Sequence, residues 1–131
     1  MITREQISAL PAGRQLDALV TETVLGTRLD RKDGVPMMWT VAGVIPMFST
    51  NMSDAWRVIE HMHVNGFILD IFISHVFVVT VKERKTSKKI ASFRSSVDES
   101  PHAVCIASLL ALLFPLDEAN TETTRQTAHA R

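Results

Sequence analysis

Two runs, Phe67-Ile68-Leu69-Asp70-Ile71-Phe72-Ile73 and Val76-Phe77-Val78-Val79-Thr80-Val81-Lys82, constrain the fold more than anything else in the chain. Both are dense in Ile, Val and Phe, the residues that suit a pleated, half-buried surface. Ser74-His75 between them predicts a tight turn, so the pair reads as an antiparallel hairpin. Apolar side chains fall on both alternate faces: Phe67, Leu69, Ile71 and Ile73 on one, Ile68 and Phe72 on the other. A sheet that is apolar on both sides needs cover on both sides. Either helices lie on each face, or helices cover one face and a second subunit the other.

The helices that supply this cover can be placed from their caps. Thr3 followed by Gln6 fits a capping box, with a short helix over residues 4–10 stopped by Pro11. Gly13 permits a turn, and a second helix runs over residues 14–25. Its Leu16, Leu19, Val20 and Val24 share one stripe, and Gly26 suits the left-handed position after the last turn. Ser49, Thr50 and Asn51 are all N-cap residues, so a third helix starts there. Met52, Ala55, Trp56, Ile59 and Met62 mark its buried face, and Asn65-Gly66 ends it. Residues 90–95 alternate well enough for a third strand. Ser100-Pro101 opens a fourth helix, with Ser at the N-cap and Pro at the first helical position, running to Phe114.

Residues 27–50 read as a long arm. Its apolar part is punctuated by Pro36, Gly43 and Pro46, and such prolines resist central strand pairing, so an irregular arm with at most one short edge strand is expected. Trp39, beside Met37 and Met38 on this arm, serves either as an interface residue or as a lid over the core.

At 131 residues the chain is one domain, residues 1–114, followed by a polar tail over residues 115–131 that is expected to be disordered. Fourteen Lys plus Arg balance fourteen Asp plus Glu, which argues against a dedicated nucleic-acid binder with its basic excess. The one cysteine, Cys105, allows no internal disulfide and fits a reducing cytoplasm. Arg4, Glu5 and Gln6 interrupt the first ten positions, so no secretory signal is read. The longest apolar run, residues 103–116, falls short of the roughly 20 residues a membrane span needs. A soluble, cytoplasmic protein with no membrane partner is the expectation.

Candidate chemistry is sparse. His61 and His63 lie two apart on a helix, about 200° around its axis, and a regular helix cannot turn both onto one metal. Cys105 sits in the most apolar helix and reads as a small buried hydrophobe rather than a nucleophile. No phosphate-cradling glycine loop follows a strand. Arg14 and Asp17 read as a helix-surface pair, with an alternative in which Arg14 faces an anionic partner. The loop holding Lys82, Arg84, Lys85, Lys88 and Lys89 against Glu83 is a solvated hairpin tip or, extended by Arg94, an anion site.

Three pieces carry a family resemblance: Leu10-Pro11-Ala12-Gly13-Arg14 with Leu16-Asp17-Ala18-Leu19-Val20, then Phe48-Ser49-Thr50 with Ala55-Trp56 and Val58, then the Ala/Leu-rich residues 103–112. Together they resemble the phage ABA sandwich family over residues 3–113. The resemblance implies an α/β (α+β) fold, a layered alpha-beta-alpha sandwich around a small antiparallel three-stranded sheet. It implies no catalytic residue set, cofactor or metal.

Three functions remain open on these grounds. The first is a non-enzymatic phage or prophage accessory protein that binds, as a homo-oligomer, in the host cytoplasm. The second is a counter-defence protein that sequesters an anionic nucleotide immune signal, with Arg14, Trp39, Arg84, Lys85, Lys88 and Arg94 as ligand contacts; a host protein is the other candidate partner. The third is a small nucleotide hydrolase using His61, His63 or His75.

Overall fold

The computed structural model describes residues 2–40 and 43–116. The expectation of a disordered tail falls almost wholly on residues 117–131, which lie outside the described residues.

Helix α1 (Arg4–Ala9) starts on the capping box read from the sequence: Thr3 Oγ1 accepts from the Gln6 N–H at 3.1 Å, and the Gln6 side chain accepts from the Thr3 N–H at 2.7 Å. Pro11 and Gly13, the latter at φ +148°, turn the chain into α2 (Arg14–Thr23), which ends two residues earlier than expected. Gly26 takes the left-handed conformation at φ +74°.

The arm is more regular than the sequence suggested. It makes two small antiparallel hairpins, β1 (Arg31–Lys32) with β2 (Val35–Pro36), and β3 (Trp39–Thr40) with β4 (Gly43–Val44). The reason lies in Asp33-Gly34, which both adopt positive φ (55° and 81°). Two central residues of that kind make the turn whose twist matches a hairpin, and an edge of two residues tolerates Pro36. Leu29, Ile45 and Ala18 bury together, with Met38 against them, so the arm rests on α2 through a satellite cluster.

Asn51 caps α3 (Met52–Val64), its side chain accepting from the Asp54 N–H. The buried stripe is Ala55, Val58 and Met62, flanked by Met52 and Ile59. Trp56, expected in the core, is instead 55% exposed. One residue past Ala55 is a rotation of about 100°, enough to carry the indole off the stripe.

Then come β5 (Phe67–Ile73), β6 (Phe77–Glu83) and β7 (Lys89–Ser95), an antiparallel sheet in the order β5-β6-β7. The first turn takes three residues rather than two, since Ile73 pairs with Phe77. A 3-10 turn (Val97–Glu99) leads into α4 (Ser100–Leu113), so Glu99 rather than Ser100 precedes the helix. Every residue of α4 from Pro101 to Ala111 is buried. A helix apolar all round must be enclosed, and α4 is: β6 and β7 pack on one side of it, and α1, α2 and α3 on the others. His102 ties it to the end of α1, its Nε2 2.7 Å from the Leu10 carbonyl.

The result is the layered α+β fold expected from the sequence. Register places Leu69, Ile71, Val79, Val81, Ala91 and Phe93 on one sheet face, toward α3 and α4. Among the described residues no helix covers the other face. There it is open to water at Ile68, Asp70, Phe72 and Arg94, with Lys82 reaching Asp70 at 2.6 Å. Of the two covers the sequence allowed, helices on each face is therefore not the one the described residues build.

Candidate binding surface

The residues singled out from sequence are scattered over separate elements, and several are occupied internally. Arg14 and Asp17 do pair, at 2.9 Å, but not on the surface: Asp17 is fully buried. Its other carboxylate oxygen accepts from both the N–H and the hydroxyl of Ser49, at 2.8 and 2.7 Å. The Gly13 N–H donates to Ser49 Oγ, while Arg14 donates to the carbonyls of Ile45 and Pro46. A buried carboxylate needs this many donors to offset lost hydration. The two stretches Leu10-Pro11-Ala12-Gly13-Arg14 and Phe48-Ser49-Thr50 thus meet in one clamp that fastens the arm to the start of α2.

In the basic loop, Arg84 folds back onto the end of α3 while staying exposed. Its guanidinium donates to the His63 carbonyl at 2.9 Å and its N–H to the Gly66 carbonyl at 2.8 Å, which satisfies the C-terminal end of α3. Lys85 and Lys88 stand exposed at the β6–β7 turn. Arg94 is also exposed, five residues along β7 from Lys89 and hence about 17 Å away along the strand. Trp39 lies across from Val44 on the arm, 57% exposed, so it is not a lid over the core. Arg14, the loop lysines, Arg94 and Trp39 sit on four different elements.

His61 and His63 are exposed on α3, and His75 is at the opposite end of β5 from the α3 junction. No group of three His, Cys, Asp or Glu able to hold a metal occurs among the described residues. Burial pushes the Cys105 thiol far up, and the negative charge of Asp17 adds to the shift. A thiol so held does not ionise near neutrality, so it lacks the thiolate that nucleophilic chemistry needs. No described helix is long and apolar enough to cross a membrane.

What the structure does assemble is apolar. Trp56 and Val64, the latter 78% exposed, point outward from α3 next to the free edge of β5. Between helix and strand runs a groove of about 380 Å³, floored by Ile59, Phe67 and Leu69 and edged by Glu60 and His63. Further along β5, Phe72 on the open face, 65% exposed, and Ile73 at the strand end are exposed as well. Sequence reading missed Trp56 and Val64, because helical spacing alone does not fix which side of a broad apolar face is buried. The outward position of Ile68 and Phe72 was readable from their alternation with Leu69 and Ile71.

Comparison with known proteins fits this fold. A crystal structure of a phage protein from Bacillus cereus superposes with a TM-score of 0.55 at 19% identity, covering 79% of this chain and 93% of that one. The likeness is one of fold. No curated protein matches the chain. Residues 18–109 match the family described as the phage ABA sandwich domain, a stretch that takes in the arm, all three long strands and most of α4. With that match over well more than half its length, the chain belongs to the phage ABA sandwich domain family.

Proposed function

We propose that this member of the family is a non-enzymatic accessory protein that acts by binding, as a homo-oligomer. One observation carries the reading: Trp56, Val64, Ile68, Phe72 and Ile73 are large, apolar, exposed, and gathered on α3 and the adjoining strand β5. Single exposed apolar side chains are ordinary, but contiguous patches on a small soluble chain mark interaction sites. The inert Cys105 thiol and the dispersed histidines favour binding over chemistry. Light scattering across the micromolar range tests the proposal. The expected mass is a multiple of 14.6 kDa, and a strict monomer at every concentration overturns it.

A second reading, sequestration of an anionic nucleotide signal, draws on Lys85 and Lys88, both exposed at one turn. Phosphates favour such clustered ammonium groups. Mass spectrometry of small molecules released from the heated protein tests it, and an empty spectrum with no nucleotide-induced rise in Tm ends it.

A further inference from the structure

β5 and β7 are the two edges of the sheet, and they are not equivalent. Past α4 the chain returns along β7, where the Leu116 N–H donates to the Ile90 carbonyl at 2.9 Å. The ladder irregularity also lies on that side, at Val81 and Lys82, whereas β5 pairs with β6 through seven residues without a shift. A long, regular, apolar edge is a template for another strand, and proteins blunt such edges with charge, proline or bulges. β5 has neither proline nor bulge, and its one charge, Asp70, is already paired with Lys82 at 2.6 Å.

The strand Phe67-Ile68-Leu69-Asp70-Ile71-Phe72-Ile73 is a palindrome in polarity centred on Asp70. We propose that the occupant of this edge is β5 of a second copy of the chain, antiparallel across a two-fold axis through Asp70, joining two three-stranded sheets into one of six. The proposal rests on the homo-oligomer reading above and specifies its interface. In this register Phe72 meets the second copy's Ile68 on the open face, while Ile71 meets Leu69 and Ile73 meets Phe67 on the helix-covered face. Asp70 meets its own twin at the axis, and with a Lys82 on each the centre holds two anions and two cations. Sliding the pair by two residues sets the charged Asp70 against Phe72 or Ile68 and leaves strand ends unpaired. Apolar matching and full-length pairing therefore select the centred register, and the Lys82 on each chain offsets the like-charge contact between the two Asp70 carboxylates.

Since α3 lies against β5, the same axis sets the two α3 helices side by side and shields Trp56 and Val64. Edge pairing also covers the outward backbone of β5 and the edge-facing flanks of Ile68, Phe72 and Ile73.

Sedimentation velocity on the full chain should give a dimer of about 29 kDa, twice the 14.6 kDa chain. Asp70→Cys places a thiol about 5 Å between Cα atoms from its twin, within disulfide reach, so mild oxidation should convert most of it to covalent dimer. The buried Cys105 makes the unsubstituted chain a silent background. Phe72→Cys lies about 13 Å from its twin and should cross-link at least tenfold more slowly. Phe72→Lys should yield a monomer with an unchanged far-UV circular dichroism spectrum. A dimer that Phe72→Lys leaves intact, or in which Asp70→Cys cross-links no faster than Phe72→Cys, overturns this interface and leaves oligomerisation standing. A monomer at all concentrations overturns both.

Discussion

Replacing Asp17 by alanine tests whether the clamp between α2 and the arm holds the fold together. Asp17 is fully buried and accepts three hydrogen bonds, from Arg14, the Ser49 N–H and the Ser49 hydroxyl. Alanine removes all three acceptors at once. Ser49 is 2% exposed, so its N–H loses its partner without gaining water, at about 1–3 kcal/mol. Its hydroxyl still reaches the Gly13 carbonyl, at 3.1 Å, and that part of the loss is small. Arg14 keeps the Ile45 and Pro46 carbonyls and a side chain 35% open to solvent, so stranding its charge costs less than for a wholly buried pair. The sum is about 3 kcal/mol, at the low end for breaking a buried ion pair, and a large share of a typical domain stability. Urea denaturation followed by far-UV circular dichroism reads it as a lower midpoint at constant slope. Ser49→Ala alone should cost about 1–2 kcal/mol. Because the two residues share bonds, the double variant should lose at least 0.5 kcal/mol less than the two singles combined. A loss below about 1 kcal/mol for Asp17→Ala, or strict additivity, refutes the clamp.

Three further outcomes follow from other parts of the structure. Ser108 is fully buried in α4 with its hydroxyl unpartnered, so Ser108→Ala should raise stability by about 1 kcal/mol, seen as a higher urea midpoint; a fall of that size means the hydroxyl is bonded. Trp56→Lys should change the stability of the isolated chain by no more than about 0.5 kcal/mol, because the indole is largely in water, while a core position would lose several times that. Arg31 beside Glu22 holds that carboxyl below the usual glutamate value, outweighing the opposing effect of burial. A lowered folded-state value stabilises above the unfolded one and is lost as pH falls through the folded one. Protection of the β1–β2 amides, relative to intrinsic exchange at each pH, should thus fall as pH drops below the usual glutamate range, and Glu22→Gln should flatten that dependence.

Local signals decided where elements begin. The Thr3–Gln6 box, the Asn51 cap and the glycines at 13 and 26 act within one turn of chain, and each worked as read. Cys105 was legible too, because a helix with no polar face has only one place to go. The hairpins of the arm were hidden behind prolines, although the left-handed pair Asp33-Gly34 makes the turn of one of them. Arg84 reads as a loop cation because nothing in sequence tells that His63, 21 residues earlier at the end of α3, lies beside it.

From the residues alone came the three long strands, the helices, the apolar excess in β5 and the family, since alternation, caps and composition are properties of neighbours along the chain. Tertiary contact decided the rest. It buried Asp17 rather than leaving it on a helix surface, turned Trp56 to water, and set the described helices on one side of the sheet. Each of those depends on which distant surface arrives to complete a bond or exclude solvent, and α4, enclosed on all sides, is where those surfaces meet.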